Sequence, residues 1–365
     1  MTVTYQFEYP ERLRCAFVGA GGHSYRNVYP TFQYAPVDLV AVCDTDLDRA
    51  RTYARTFGGG TAYADHHEML AAERPDAVFV VTSYTAGGDV QATAIAEDCL
   101  RAGAHVWMEK PTAAGLAQLD RLQAAADETG RTVMTGLKKV FTPAAEKVKA
   151  IMTSPEFGTP TSISIRYPQA LPAPADRGDD VAMIGFLDHI FHPAALFTYL
   201  MGPVRRLTYE WDSRTGASVS SMLFESGAVG TLHLAAGSAT GAPLERVEVI
   251  GEGANVVVEN GVRLTYYRRG TPLPYGRSGS FFTDDASAPL RWEPEFSLGQ
   301  LYNKNLFYLG YVPEVLHFCE SVLAGRPPEK GTLADVREIL RLYELYRRVP
   351  AGQPAEVRPD IKAGS

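Results

Sequence analysis

Along the first 140 positions, apolar residues gather in short unbroken runs separated by stretches with helical spacing. LRCAFVG (13–19), VDLVAVCD (37–44), DAVFVVTS (76–83) and AHVWME (104–109) are rich in Val and Phe and predict strands, with TVMTGL (132–137) adding another. Between them, DLDRARTYARTFG and VQATAIAEDCLRAG carry helix periodicity and end on glycine, the usual helix stop. HHEMLAAERP fits a short helix, and LDRLQAAADETG a longer one. Strand and helix in alternation imply right-handed crossovers and a doubly wound parallel sheet.

From about Phe141 the pattern changes. PTSISIRYPQ, VRRLTYEW, ASVSSMLFES, AVGTLHLAAG, RVEVIGEG, ANVVVENG and VRLTYYRRG alternate apolar and polar residues, joined by the turn signals SG, EGA and NG. The helical stretch MIGFLDHIFHPAALFTYLMG interrupts them, and PEVLHFCESVLAG and TLADVREILRLYELYRRV close the chain. The expected architecture is α/β: a parallel domain over residues 1–141, then an α+β domain over 142–365 with a large, open, mainly antiparallel sheet. The C-terminal helices are free to pack back on the first domain.

A length of 365 residues fits two cores better than one. With 45% apolar and 21% charged residues the composition is that of a globular protein, and a net charge of −7 argues against a nucleic-acid partner. No stretch is expected to match the ~20 apolar residues of a membrane span, and MTVTYQFEYPERLR lacks the pattern of a secretion signal. Cys15, Cys43, Cys99 and Cys319 are widely spaced, which fits a reducing, cytoplasmic setting rather than a structural zinc site.

The first strand runs into GAGGHS. Gly19 permits a tight turn and Gly21 lets backbone approach a diphosphate at a helix N-terminus, while Ser24 takes the third glycine position of the dinucleotide fingerprint. Gly22, His23 and Ser24 complete the candidate cradle. The second strand ends in Asp44, 20 residues beyond Ser24, where a carboxylate can accept the adenosine ribose hydroxyls. That carboxylate favours NAD and disfavours the 2′-phosphate of NADP, although Arg49 and Arg51 close by keep NADP possible. Both arginines also fit exposed positions on the following helix.

Two further marks carry chemistry. WMEKPTAAG (107–115) puts Glu109, Lys110 and Pro111 at a strand end, where a strand terminus or a ligand-facing cation are the two readings. FLDHIFH spaces Asp188 and His192 four apart, on one helix face, as an ion pair, a core histidine or a proton-transfer pair. His189 adjoins them, but no further ligand cluster follows, and no metal is expected.

With GAGGHS, AVCDTD, EKP, DHIFH and the tail VPEVLHFCESVLAGRPP, the chain resembles the Gfo/Idh/MocA oxidoreductase family over nearly its whole length. The resemblance implies a Rossmann domain, a nicotinamide cofactor, and hydride exchange with a secondary alcohol or ketone of a sugar, sugar derivative or cyclitol. It makes Lys110 the residue beside nicotinamide and substrate oxygen, with Glu109 supporting it, His192 the proton donor or acceptor, and Asp188 its partner. Thr82, Ser83, Glu109 and Lys110 join the implied cofactor contacts. A homodimer or homotetramer is implied too. Where the family often has glycine, aspartate and arginine, this chain has Ile190, Ala195 and Val140, the last with Lys138 and Lys139 near; the stretch 82–94 is longer and lacks the usual histidine. An atypical substrate is one consequence, and a non-catalytic dinucleotide- and sugar-sensing protein is the alternative. A reductase of an imine or conjugated double bond is a third reading. LPAPADRGDDVAM (171–183) suits a mobile lid or a plain loop, and LYNKNLFYLGY (301–311) a sugar-stacking segment or core packing.

Overall fold

In the computed structural model, residues 9–357 are described except 240, 243–244, 271–284, 286 and 294–304. Residues 1–8 of the N-terminal stretch MTVTYQFEYPERLR and residues 301–304 of the tyrosine-rich stretch therefore lie outside the described residues. The chain forms two compact units: residues 1–141 with 310–340, and residues 142–309 with 341–365.

The first unit is built on six parallel strands: β1 (Leu13–Val18), β2 (Val37–Cys43), β3 (Thr61–Tyr63), β4 (Ala77–Val80), β5 (His105–Glu109) and β6 (Val133–Gly136), in the order β3-β2-β1-β4-β5-β6. Every residue of β4 is buried, as expected of a central strand covered on both faces; the edge strand β6 is buried too, its Thr135 amide donating to the Gly331 carbonyl at 2.7 Å. The crossovers are α1 (Leu47–Phe57), α2 (His66–Glu73), α3 (Gln91–Arg101) and α4 (Leu116–Thr129). α1 starts at Asp46, whose side chain accepts from the Arg49 amide, and stops at Gly58 with φ +74°. The order reverses between β1 and β4, and ligands of such sheets bind at that crevice, outside the carboxyl ends.

The helix expected after the glycine turn is not a regular α-helix. Ser24–Val28 is a π-helical turn, followed by a 3₁₀ turn over Tyr29–Gln33 in which Pro30 cannot donate a backbone bond. Tyr29 secures this irregular segment, stacking on Phe17 at 4.0 Å and on Phe57 at 4.5 Å between centroids.

The second unit contains α5 (Pro143–Met152), β7 (Ser162–Tyr167), α6 (Asp180–Met201), β8 (Val204–Trp211), β9 (Ser218–Phe224), β10 (Val229–Leu234), β11 (Arg246–Ile250), β12 (Asn255–Glu259), β13 (Arg263–Tyr267), β14 (Leu290–Trp292) and β15 (Ala355–Glu356). Its nine-stranded sheet runs β14-β13-β12-β11-β7-β10-β9-β8-β15. The sheet is antiparallel except at the β7–β10 pair, which is parallel. Along β10 burial alternates strictly, so one face meets the core and the other stays open.

α6 corrects one expectation: by length and composition it could cross a membrane. Twelve of its residues, Phe186, Leu187, Phe191 and Phe197 among them, are buried in the protein, which explains an apolar helix without a bilayer. The segment before it is tied to its surroundings by side-chain hydrogen bonds. Buried Arg177 donates to the Pro172 carbonyl at 2.8 Å and to the Tyr209 hydroxyl, Arg347 donates back to the Arg177 carbonyl at 2.9 Å, and the Trp211 indole donates to the Leu171 carbonyl at 3.0 Å. A guanidinium buried in this way pins the backbone around it.

Two helices complete the main elements: α7 (Tyr311–Leu323), packed on β5 and β6, and α8 (Leu333–Arg348), within which the two units divide.

Candidate active site

The glycine turn begins where β1 ends. Gly19 has φ +111°, and a Cβ there would lie 1.8 Å from the Val81 carbonyl oxygen, so only glycine lets the strands β1 and β4 leave the sheet this close together. A Cβ on Gly21 would meet nothing within 4 Å, leaving open space on that side of the backbone. Gly22 and His23 are exposed, whereas Ser24 is fully buried and its hydroxyl has no partner among the described residues. At the end of β4 the Thr82 hydroxyl is likewise buried without a partner, and Ser83 is exposed. The long stretch that follows closes on itself through the Thr85 amide to Asp89 carbonyl bond of 2.9 Å and a Tyr84–Val90 bridge.

Asp44, just beyond β2, joins this turn. Its Oδ2 accepts from the Ala20 amide at 2.8 Å, its Oδ1 from the Asp46 amide at 2.9 Å, and the Arg49 guanidinium lies 3.2 Å from Oδ1. Arg49 therefore stands beside Asp44, while Arg51 pairs with Asp48 at 3.0 Å. Two orphaned hydroxyls, an open glycine face and a carboxylate at the second strand end together fit a dinucleotide. Gly19, Gly21, Ser24, Asp44 and Thr82 would hold it.

β5 delivers Glu109 and Lys110 to the same end of the sheet. Glu109 is buried, and Gly136 makes room for it: a Cβ at 136 would lie 2.8 Å from Glu109 Oε2 and 2.7 Å from the Trp107 ring. The Lys110–Pro111 peptide is cis. Behind it Thr112 is fixed, its hydroxyl 2.7 Å from that of Thr135 and its carbonyl accepting from Thr93 at 2.7 Å. The aim of Lys110 thus rests on a backbone tied to α3 and β6.

Sequence reasoning missed much of the wall around Glu109. His23 Nε2 lies 3.5 Å from Glu109 Oε1, and the His23 ring meets Tyr311 edge-on at 5.9 Å. The ammonium of Lys138 donates to the Tyr311 hydroxyl at 2.8 Å and sits 4.5 Å from that ring's centre. Glu314, one turn along α7, is fully buried, and neither carboxylate oxygen has a hydrogen-bond partner among the described residues. Burial, reinforced by the nearby Glu109 charge, pushes the Glu314 carboxyl well above the usual range, with Lys138 opposing. Burial likewise lowers the Lys138 ammonium, again against the pull of Glu109. The only hint in sequence was Lys138 standing near the expected arginine position. Nothing local ties residues 311 and 314 to residue 109.

In the second unit, Asp188 and His192 both lie on α6. His189 Nε2 is 3.9 Å from Asp188 Oδ2, and the His192 ring is 6.0 Å from that of Tyr167 on β7. Burial, with the Glu245 and Asp188 charges adding to it, raises the Tyr167 phenol. Pro193 lacks the N–H that would bond the His189 carbonyl, which loosens the helix beside His192.

Comparison with known proteins agrees with this architecture. Residues 13–137 match the model of the GFO/IDH/MocA oxidoreductase family NAD-binding Rossmann fold, and residues 145–257 match the GFO/IDH/MocA C-terminal domain. A myo-inositol 2-dehydrogenase of Thermotoga maritima is 27% identical over 61% of this chain and 68% of its own. A scyllo-inositol 2-dehydrogenase (NAD(+)) of Bacillus subtilis is 26% identical over 87% of this chain and 88% of its own. Among solved structures, an Agrobacterium radiobacter oxidoreductase in complex with NAD+, L-tartaric acid and magnesium superposes with a TM-score of 0.75 at 15% identity, covering 95% of this chain and 98% of that one, a likeness of fold. The chain belongs to the GFO/IDH/MocA oxidoreductase family, with an NAD-binding Rossmann domain at its N-terminal end.

Proposed function

We propose that this oxidoreductase oxidises or reduces a secondary alcohol or ketone carbon of a sugar, sugar derivative or cyclitol, with NAD as the hydride carrier. The observation that carries the reading is the gathering of Gly19, Asp44, Thr82, Glu109 and Lys110 around the carboxyl ends of one parallel sheet. The inositol dehydrogenases among the relatives support the substrate class. When bound, the nicotinamide supplies the hydride chemistry.

The chain's own residues supply orientation and charge. The Lys110 ammonium stabilises negative charge on the substrate oxygen, a favourable term as the carbonyl forms or is reduced. His192 takes the hydroxyl proton in oxidation and returns it in reduction, the donor and acceptor roles that an imidazole ring can fill. Asp188 orients that ring or contacts substrate. Glu109 keeps anionic charge near Lys110 and His23.

The test is a panel of sugars, inositols and amino-sugars offered with NAD and with NADP, read at the absorbance band of the reduced cofactor. Turnover of at least one polyol with NAD is the expected result. Demonstrated binding of both cofactor and polyol without any hydride transfer would replace this reading with a sensing role.

We also infer a homodimer or homotetramer formed through the open sheet face. Val219, Ser221 and Leu223 of β9 stand opposite His233, Thr231 and Val229 of β10 on that face, with Ser164 hydrogen-bonded to Thr231 at 3.0 Å and Ile250 beyond. Small residues with exposed valines make a level surface that a second copy can cover.

A further inference from the structure

The sequence draws the eye to the histidines of α6, yet the described residues that come within ligating distance of one another as a set are His66, His67 and Asp98. The two histidines open α2, whose first turn is held by Asp65 accepting from the amides of His67 and Glu68 at 2.7 and 3.2 Å. Asp98 stands on α3. His66 Nε2 lies 3.0 Å from Asp98 Oδ2, and His67 Nε2 lies 3.7 Å from the same oxygen. All three donor atoms fall within 4.8 Å of one another.

An ordinary histidine–aspartate hydrogen bond explains His66. It does not explain His67, since successive helical residues point about 100° apart and do not normally share a target. Here their ring centres are only 4.1 Å apart. Zinc bonds of about 2.0–2.2 Å to nitrogen and oxygen in a tetrahedral shell place neighbouring ligand atoms roughly 3.4 Å apart. The two separations to Asp98, 3.0 and 3.7 Å, bracket that edge.

We propose that His66, His67 and Asp98 form a binding site for a divalent transition-metal ion of the zinc type, tying α2 to α3. Two imidazoles and one carboxylate suit zinc, nickel or copper and disfavour magnesium and calcium, which take oxygen shells. The side chains of His66, His67 and Asp98 are 20%, 63% and 33% exposed, so an ion can enter and water can complete the shell. His67 and Asp98 also line a cleft of about 1230 Å³ that reaches Leu13, Asp76 and His105, at the amino ends of β1, β4 and β5. Lys110 and the glycine turn lie at the opposite, carboxyl ends of those strands, and none of the three ligands belongs to either. Its role is to fasten two helices.

The experiment titrates full-length, chelator-treated protein with cobalt(II), followed by zinc competition and thermal denaturation. One equivalent of cobalt with a tetrahedral visible spectrum, displaced by zinc, is expected. His67→Ala and Asp98→Asn should each weaken binding at least tenfold and abolish the zinc-dependent rise in Tm, while NAD affinity stays unchanged. Failure of the wild type to bind zinc below millimolar concentration overturns the site. So does undiminished binding in both variants, or binding lost instead in His189→Ala.

Discussion

Asp44 accepts a hydrogen bond from the Ala20 amide while the Arg49 guanidinium rests 3.2 Å from its other oxygen. One carboxylate thereby shapes the glycine turn and restrains the nearest cation. With Asp44 charged, a 2′-phosphate is repelled; with that charge removed, Arg49 is released to meet it. Asp44→Asn should therefore shift the ratio of NADP to NAD affinity upward by about tenfold, ~1.4 kcal/mol. Calorimetric titration of both cofactors checks this, and an unchanged ratio would show that neither residue reads the ribose.

Lys110→Ala should lower turnover by about 10²- to 10³-fold, the usual loss when a charge-stabilising group is removed from a reacting oxygen. NAD affinity should change little, because Lys110 is not needed to hold the glycine turn. Steady-state kinetics beside cofactor titration separates the two effects. Wild-type turnover in this variant would take Lys110 out of the mechanism.

Glu314 makes stability depend on pH in a definite direction. Its folded pKa is raised above the unfolded value, so the favourable protonated state is fully populated below about pH 4.3 and is lost as pH rises toward the folded pKa. Glu314→Gln keeps the shape without a charge to desolvate. The variant should match the wild type near pH 4.5 and exceed it increasingly as the pH rises to 8. Urea unfolding across that range provides the comparison, and two parallel curves would mean that Glu314 is charged at no cost.

Val229→Lys, on the open face of β10, should leave a monomer with a folded core. Val229 is 53% exposed and borders Ser162 and Leu223, so a lysine there is harmless alone and repulsive against a second copy. Sedimentation of both proteins decides it; a wild type that already sediments as a monomer refutes the sheet-face assembly.

The sequence by itself determined the parallel half, because its evidence is local: runs of Val and Phe, glycine stops, and the spacing of Gly19, Gly21 and Asp44. The EKP mark at 109–111 needed no coordinates either. Local period says less about partners. It did not foresee the short strands β3, β14 and β15, the parallel β7–β10 pair among hairpins, or the π-helical turn that leads to Tyr29, packed between Phe17 and Phe57. Only tertiary structure could place Tyr311 on Lys138 across 173 positions, bury Glu314 near Glu109, and turn His66 and His67 toward Asp98. Periodicity records which side of an element is buried; which distant side chains meet there is set by how the elements pack, and that information is spread over the whole core.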